Sequence, residues 1–136
     1  MSITALQRTG AIALAASLVS AARAIPHSVR QRAQPETVMV TYHVKRGSQA
    51  ELARVLAAHW ATALRLQLVD SAPHVVVESS DASQPPDIVE IFTWRDAATP
   101  DHAPPEIQAA WSNMAPLVEG RGGRPAIEAV EVSIVR

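Results

Sequence analysis

Two titratable residues in this chain sit where apolar neighbours would set their chemistry. Glu90 stands between Val89 and Ile91 and, at strand spacing, shares a face with Ile88, Phe92 and Trp94. A carboxyl group in apolar surroundings holds its proton more tightly and can exchange it near neutrality. The same position also suits a structural carboxylate that pairs with an Arg or a His, or one at a dimer rim. His59 lies on an apolar helical stripe with Leu52, Val55, Leu56, Trp60, Ala63 and Leu64. An imidazole facing a cleft can act as a base or hold a substrate oxygen, and it can equally be a core residue with one nitrogen satisfied. Contact between Glu90 and His59 would make a charge-coupled pair, but the sequence does not show whether they meet.

Around these two, Trp60, Trp94, Trp111 and Met114 offer large apolar walls for an aromatic or lipid-like ligand. Residues of that size at helical and strand spacing are also ordinary core. His102 follows Asp101 in a connector that could lie over such a cleft. No two His residues share i, i+4 spacing on one helix, so no metal site is expected. The chain has no Cys, which removes thiol catalysis, disulfides and Cys-based zinc sites. No G-x-S-x-G elbow marks a serine nucleophile. The stretch Gly120-Arg121-Gly122-Gly123-Arg124 follows a helix and leads into a strand, the reverse of a phosphate loop. It reads as a helix stop and turn carrying two solvated Arg residues.

The elements that must position these residues follow from pattern. Val38 to Val44 is β-branched and aromatic, hence a strand. Lys45-Arg46-Gly47 turns the chain, and Ser48 with Glu51 matches a capping box opening a helix that should end near Leu66. Pro73 precedes a second strand, His74 to Glu78. The polar loop Ser79 to Pro86 then leads into a third, Ile88 to Trp94. Pro104-Pro105-Glu106 suits a second helix start, with Ile107, Ala110, Trp111, Met114, Leu117 and Val118 as its stripe. Pro116 should kink or shorten that helix. Ala126 to Val135 is the predicted fourth strand.

The order β-α-β-β-α-β is the ferredoxin-like, split βαβ arrangement: an α+β fold with two helices on one face of a four-stranded antiparallel sheet. The strands carry apolar groups on both faces, as in Val75-Val76-Val77, so the second face needs a cover. A second copy of the sheet is the simplest one, predicting a homodimer.

At 136 residues the chain holds one domain, and with 48% hydrophobic residues it is not a disordered one. A net charge of -1 gives no basic excess for nucleic acid or an anionic membrane surface. Residues 1–24 read as a signal peptide: Arg8, then an apolar run from Ala11 to Val19, then Ala22-Arg23-Ala24 as an A-x-A cleavage site. The run is shorter than the about 20 residues that span a bilayer. Its removal predicts a periplasmic or secreted protein with no membrane span, a flexible N-terminus over 25–36 and the ferredoxin-like domain over 37–136. Arg8 and Arg23 leave with the segment and 13 acidic residues stay, so the mature net charge is -3.

Several phrases resemble the dimeric α+β-barrel superfamily, which includes the antibiotic-biosynthesis-monooxygenase-like proteins. They are His59-Trp60, Ile88 to Arg95, Pro105 to Trp111, and Arg121-Gly122-Gly123-Arg124-Pro125. The resemblance runs from Thr37 to Arg136 and implies a pocket between helices and sheet. The superfamily holds cofactor-free oxygenases, haem-degrading enzymes and members with no known chemistry. The haem-degrading branch has an Asn on the first strand, where this chain offers Thr41, Tyr42 and His43. It has an axial His on the second helix, where this chain has Trp111. Haem chemistry is therefore not carried over, and no cofactor is expected. Two functions stay open. One is a cofactor-independent, monooxygenase-like oxidoreductase using Glu90 and His59. The other is a non-catalytic exported binding or assembly protein that keeps only the dimeric fold.

Overall fold

A strand whose alternate side chains are apolar buries one face, and the run from Glu36 does so. In a computed structural model of the chain, which describes residues 33–135, the elements are β1 (Glu36–His43), α1 (Gln49–Arg65), β2 (Val69–Glu78), β3 (Asp87–Trp94), α2 (Pro105–Met114) and β4 (Ile127–Glu131). A 3-10 turn at Thr99–His102 precedes α2, and another at Ala115–Leu117 follows it. The sheet order is β2-β3-β1-β4, all antiparallel, which is the ferredoxin-like topology expected. The predicted signal peptide and most of the predicted flexible segment lie outside the described residues. Among the described residues no helix is long and apolar enough to cross a membrane.

Pairing register assigns each strand residue to a face. On the covered face the rows across β4, β1, β3 and β2 run Glu131–Val38–Phe92–His74 and Ala129–Val40–Glu90–Val76. The next is Ile127–Tyr42–Ile88–Glu78. Helices α1 and α2 pack there through Leu52, Leu56, Ile107 and Met114, all buried. The opposite face carries the rows Val130–Met39–Ile91–Val75 and Glu128–Thr41–Val89–Val77. Val75, Val77 and Val130 are about half exposed there.

Several expectations are corrected. Ser48 sits at the start of α1 but makes no capping hydrogen bond; the Gly47 amide, in the left-handed region at φ 88°, donates instead to Gln49 Oε1 at 2.8 Å. Strand β2 begins at Val69 rather than His74. Asp70 to Pro73 stand opposite Thr93 alone, and Pro73 has no amide to give the ladder, so the regular pairing breaks there. Strand β4 ends at Glu131, short of Val135, although the Val132 amide still donates to Thr37 O. Helix α2 stops at Met114, two residues before Pro116, as that proline requires.

Arg121 is partly buried rather than free in solvent. Its guanidinium donates to Asp87 Oδ1 at 2.8 Å and to Val44 O at 3.0 Å, docking the glycine-rich turn on the sheet end. The same Asp87 oxygen lies 2.8 Å from His43 Nδ1, and His43 Nε2 lies 2.9 Å from Glu128 Oε2. Arg124 closes the cluster on Glu128, whose carboxyl it holds below the usual carboxylate range, with His43 adding to the effect. The buried His43 thus bridges β3 and β4 from β1. His43→Ala should lower the unfolding free energy by about 2 kcal/mol in urea titration, since the buried link between Asp87 and Glu128 is lost while each carboxylate keeps an Arg.

Candidate functional site

The site is built on the middle of the covered sheet face. Glu90 is fully buried there because strand alternation points it inward with Ile88, Phe92 and Trp94. A buried carboxylate without partners costs several kcal/mol, and both of its oxygens have one. The Tyr42 hydroxyl donates to Oε2 at 3.0 Å, and His74 Nε2 donates to Oε1 at 2.9 Å. Tyr42 and His74 are each one step diagonal to Glu90 on the neighbouring strands, a separation that long side chains cross. Burial, the Glu90 charge and this hydrogen bond together push the Tyr42 hydroxyl far above its ordinary value, so it keeps its proton. His74 is held in turn by Trp60 of α1, stacked on it with ring centroids 3.7 Å apart and planes 7° from parallel.

Beside this chain lies a cavity of 330 Å³ between sheet and helices. Its floor is Val38, Val40 and Tyr42 of β1 with Phe92 and Trp94 of β3. Ile127 and Ala129 of β4 form one side. His59, Trp111 and Met114 come down from the helices, and Pro100 enters from the connector. Its polar groups, among the described residues, are Tyr42, His59 and the indole N–H groups of Trp94 and Trp111.

His59 is 3% exposed, and neither ring nitrogen has a hydrogen-bond partner among the described residues. Burial is the main force lowering its pKa below 6.5; nearby Glu90 opposes this and His74 adds to it. The ring is therefore neutral at pH 7, with one N–H to give and one lone pair to receive. The other side of His59 borders a groove between α1 and α2 that includes Thr62, Glu106 and Asn113.

Of the residues singled out from sequence, His59, Trp94, Trp111 and Met114 come together in the cavity wall. Glu90 lies fully buried in the sheet row beside Tyr42, hydrogen-bonded to Tyr42 and His74 and not to His59. Trp60 is outside the cavity lining, partly buried, stacked on His74 and edge-on to Phe92. His102 is exposed in its 3-10 turn, where Pro100 of the same turn reaches the cavity instead. Tyr42 and His74 were missed as members of the site. Tyr42 shares a two-residue period with Val38 and Val40, which marks it as inward-facing. Nothing in the sequence marks either as a partner of Glu90. Among the described residues no three metal-ligating side chains converge.

With this geometry in view, the solved structures that resemble the chain can be compared. One is SnoaB, a cofactor-independent oxygenase from Streptomyces nogalater, with a TM-score of 0.57, 19% identity, and 76% of this chain matched to 96% of that one. The fold is that of the antibiotic-biosynthesis-monooxygenase-like α+β-barrel proteins. A candidate antibiotic biosynthesis monooxygenase from Nitrosomonas europaea has a TM-score of 0.57 at 10% identity, over 76% of this chain and 92% of its own. Rv0793 from Mycobacterium tuberculosis has a TM-score of 0.56 at 12% identity, over 76% and 97%. No protein-family model matches the chain, and no curated protein matches it in sequence. At these identities the likeness establishes the fold, and the chemistry has to come from this chain's own residues.

The orphaned imidazole has a measurable signature. A histidine whose pKa is lowered on folding binds fewer protons in the native state, so native stability falls as pH drops below 6.5 toward the folded value. His59→Leu should therefore flatten that decline. At pH 7 it should leave the unfolding free energy unchanged or raise it by up to about 1 kcal/mol, because an unpaired buried polar group is removed. Urea titrations of both proteins between about pH 5 and pH 8 would check it.

Proposed function

We propose that this protein binds a small, largely apolar or aromatic molecule in the cavity between helices and sheet. In its enzymatic form it would be a cofactor-independent oxygenase. The observation that carries the reading is the neutral His59 ring, without a hydrogen-bond partner among the described residues, in the wall of a mostly apolar 330 Å³ cavity. That volume falls within the range of small-molecule sites, and a few polar groups in a mostly apolar wall are how such sites orient a ligand. His59 is the group able to take a proton there. Loss of an acidic proton from the ligand to His59 would leave a carbanion that gives one electron to dioxygen. The resulting radical pair would combine, and the proton on His59 would return to the peroxide, so that ligand plus O2 yields the hydroperoxide. SnoaB, with the same fold, is a cofactor-independent oxygenase, which supports this form of the reading.

One observation favours binding without catalysis. Both oxygens of Glu90 are already engaged by Tyr42 and His74, so Glu90 serves as a structural anchor and, among the described residues that line the cavity, His59 is left as the base candidate.

The protein works as an exported homodimer in this reading. The outer sheet face, with Met39, Ile91, Val75 and Val130 in one row and Val89 and Val77 in the next, is an apolar surface that a second copy would cover. The segment Met1 to Ala24 has the pattern that directs export.

Screening aromatic compounds by quenching of tryptophan fluorescence, with an oxygen electrode in parallel, tests the function. Compounds should bind the wild type, and Trp111→Ala should weaken them about tenfold by removing a cavity wall. Oxygen uptake with any bound compound should vanish in His59→Leu. A screen in which nothing quenches the wild type removes the binding site, and uptake that survives His59→Leu removes its catalytic role. Sedimentation should find a dimer that Val77→Lys converts to monomer.

A further inference from the structure

The cavity between helices and sheet is open on one side. Most of its lining is buried, but Ile127 and Ala129 of β4, Pro100 of the connector and Trp111 of α2 reach solvent and frame its mouth. Ile127 and Ala129 stand on the edge strand, whose inward face the helices leave partly bare. Taking this cavity as the ligand site proposed above, we infer that the ligand has two parts. An apolar ring body sits inside, and a tail ending in a protonated amine leaves past Pro100 and Trp111 and lies beside Asp101.

Size and continuity call for the tail. At 330 Å³ the cavity is at the small end of the about 300–1,000 Å³ that ligand sites occupy, so a ligand of ordinary size fills it and continues through the mouth. Pro100 and Trp111 also border a second, shallower groove on the outside, shared with Asp101, Gln108 and Ser112. A chain emerging between those two residues therefore runs onto this groove.

The chemistry changes across the mouth. No Lys, Arg, Asp or Glu lines the cavity, so a charge lodged inside would lose its hydration without a counter-ion. In the groove Asp101 is exposed, and a solvent-exposed carboxyl group carries its charge at pH 7. From Asp96 to Gly120 the chain has no Lys or Arg, with His102 its one basic side chain. The flanking Arg95 and Arg121 pair with Asp70 and Asp87. The field over the groove thus favours a cation. Gln108 gives an amide hydrogen to Ala103 O at 2.7 Å, and Ser112 gives its hydroxyl hydrogen to Gln108 O at 3.0 Å. Their side-chain oxygens remain as acceptors beside the Asp101 carboxylate, and an ammonium group brings three donors and the complementary charge.

Naphthalene probes carrying an ammonium, a hydroxyl or a carboxylate at the end of one or four methylenes test this, with 2-methylnaphthalene as the tailless reference. Equilibrium dialysis against the full chain at pH 7 and low ionic strength reads their affinities. With four methylenes, the ammonium probe should bind the wild type about threefold tighter than the alcohol and about tenfold tighter than the carboxylate. Both ratios should shrink at about 1 M salt, where the Debye length is about 3 Å. Lengthening the tail from one methylene to four should improve the ammonium probe at least about tenfold more than the alcohol, because the short tail leaves the charge inside the cavity. Asp101→Asn should bring the long ammonium and carboxylate probes within about twofold of each other. Ser112→Trp, which fills the groove from an exposed helix position, should cost the long ammonium probe about tenfold relative to 2-methylnaphthalene. If 2-methylnaphthalene binds but charge and tail length do not rank the probes, or either variant leaves the wild-type ranking in place, the two-part ligand is overturned and the cavity site stands. Failure of every probe to bind overturns both.

Discussion

A carboxylate in the middle of a sheet's covered face is stable only if both of its oxygens find donors that are themselves held in place. Glu90 meets that condition through Tyr42 on one neighbouring strand and His74 on the other. Each contact is diagonal, so a slip of one residue in either strand would turn the donor to the opposite face. Trp60 of α1 then stacks on His74, and Phe92 lies edge-on between Trp60 and Trp94. One buried carboxylate thereby couples the register of three strands to the seating of the first helix. The cavity beside it inherits its shape from that arrangement.

His43 and His59, both buried, show how environment divides roles among identical side chains. His43 has a carboxylate at each ring nitrogen and sits in a cluster with Arg121 and Arg124, tying the glycine-rich turn to the sheet end. His59 has no partner at either nitrogen among the described residues and borders a mostly apolar cavity. Satisfied polar clusters specify structure, whereas an orphaned polar group weakens the fold unless something binds it. A residue whose removal should not harm stability, yet which lies at a cavity wall, is where function is expected to reside.

The likeness to SnoaB and the other solved structures is a likeness of backbone, at 10–19% identity. A helix-covered sheet of this kind leaves room for a cavity between its layers, and different side chains can give that cavity different chemistry. Here the wall is apolar with a neutral imidazole, and the nearest carboxylate is committed to structural partners. These properties belong to Tyr42, His59, His74 and Glu90 of this chain and do not depend on what the other proteins do.

Element order and fold class were legible from the residues, because β-branched runs, helical apolar stripes and proline stops are local signals. Pro116 marked the end of the second helix, and the inward period of Ile88, Glu90, Phe92 and Trp94 marked the covered face. Trp94, Trp111 and Met114 were placed by the same periodicities on surfaces that meet at the cavity. Periodicity names a face but not a neighbour. Hence the bonding of Glu90 to Tyr42 and His74 instead of His59, the stacking of Trp60 on His74, the exposure of His102 and the partial burial of Arg121 were decided by strand register and helix docking. Those are set by the summed packing of residues far apart in the chain, and no local pattern records them.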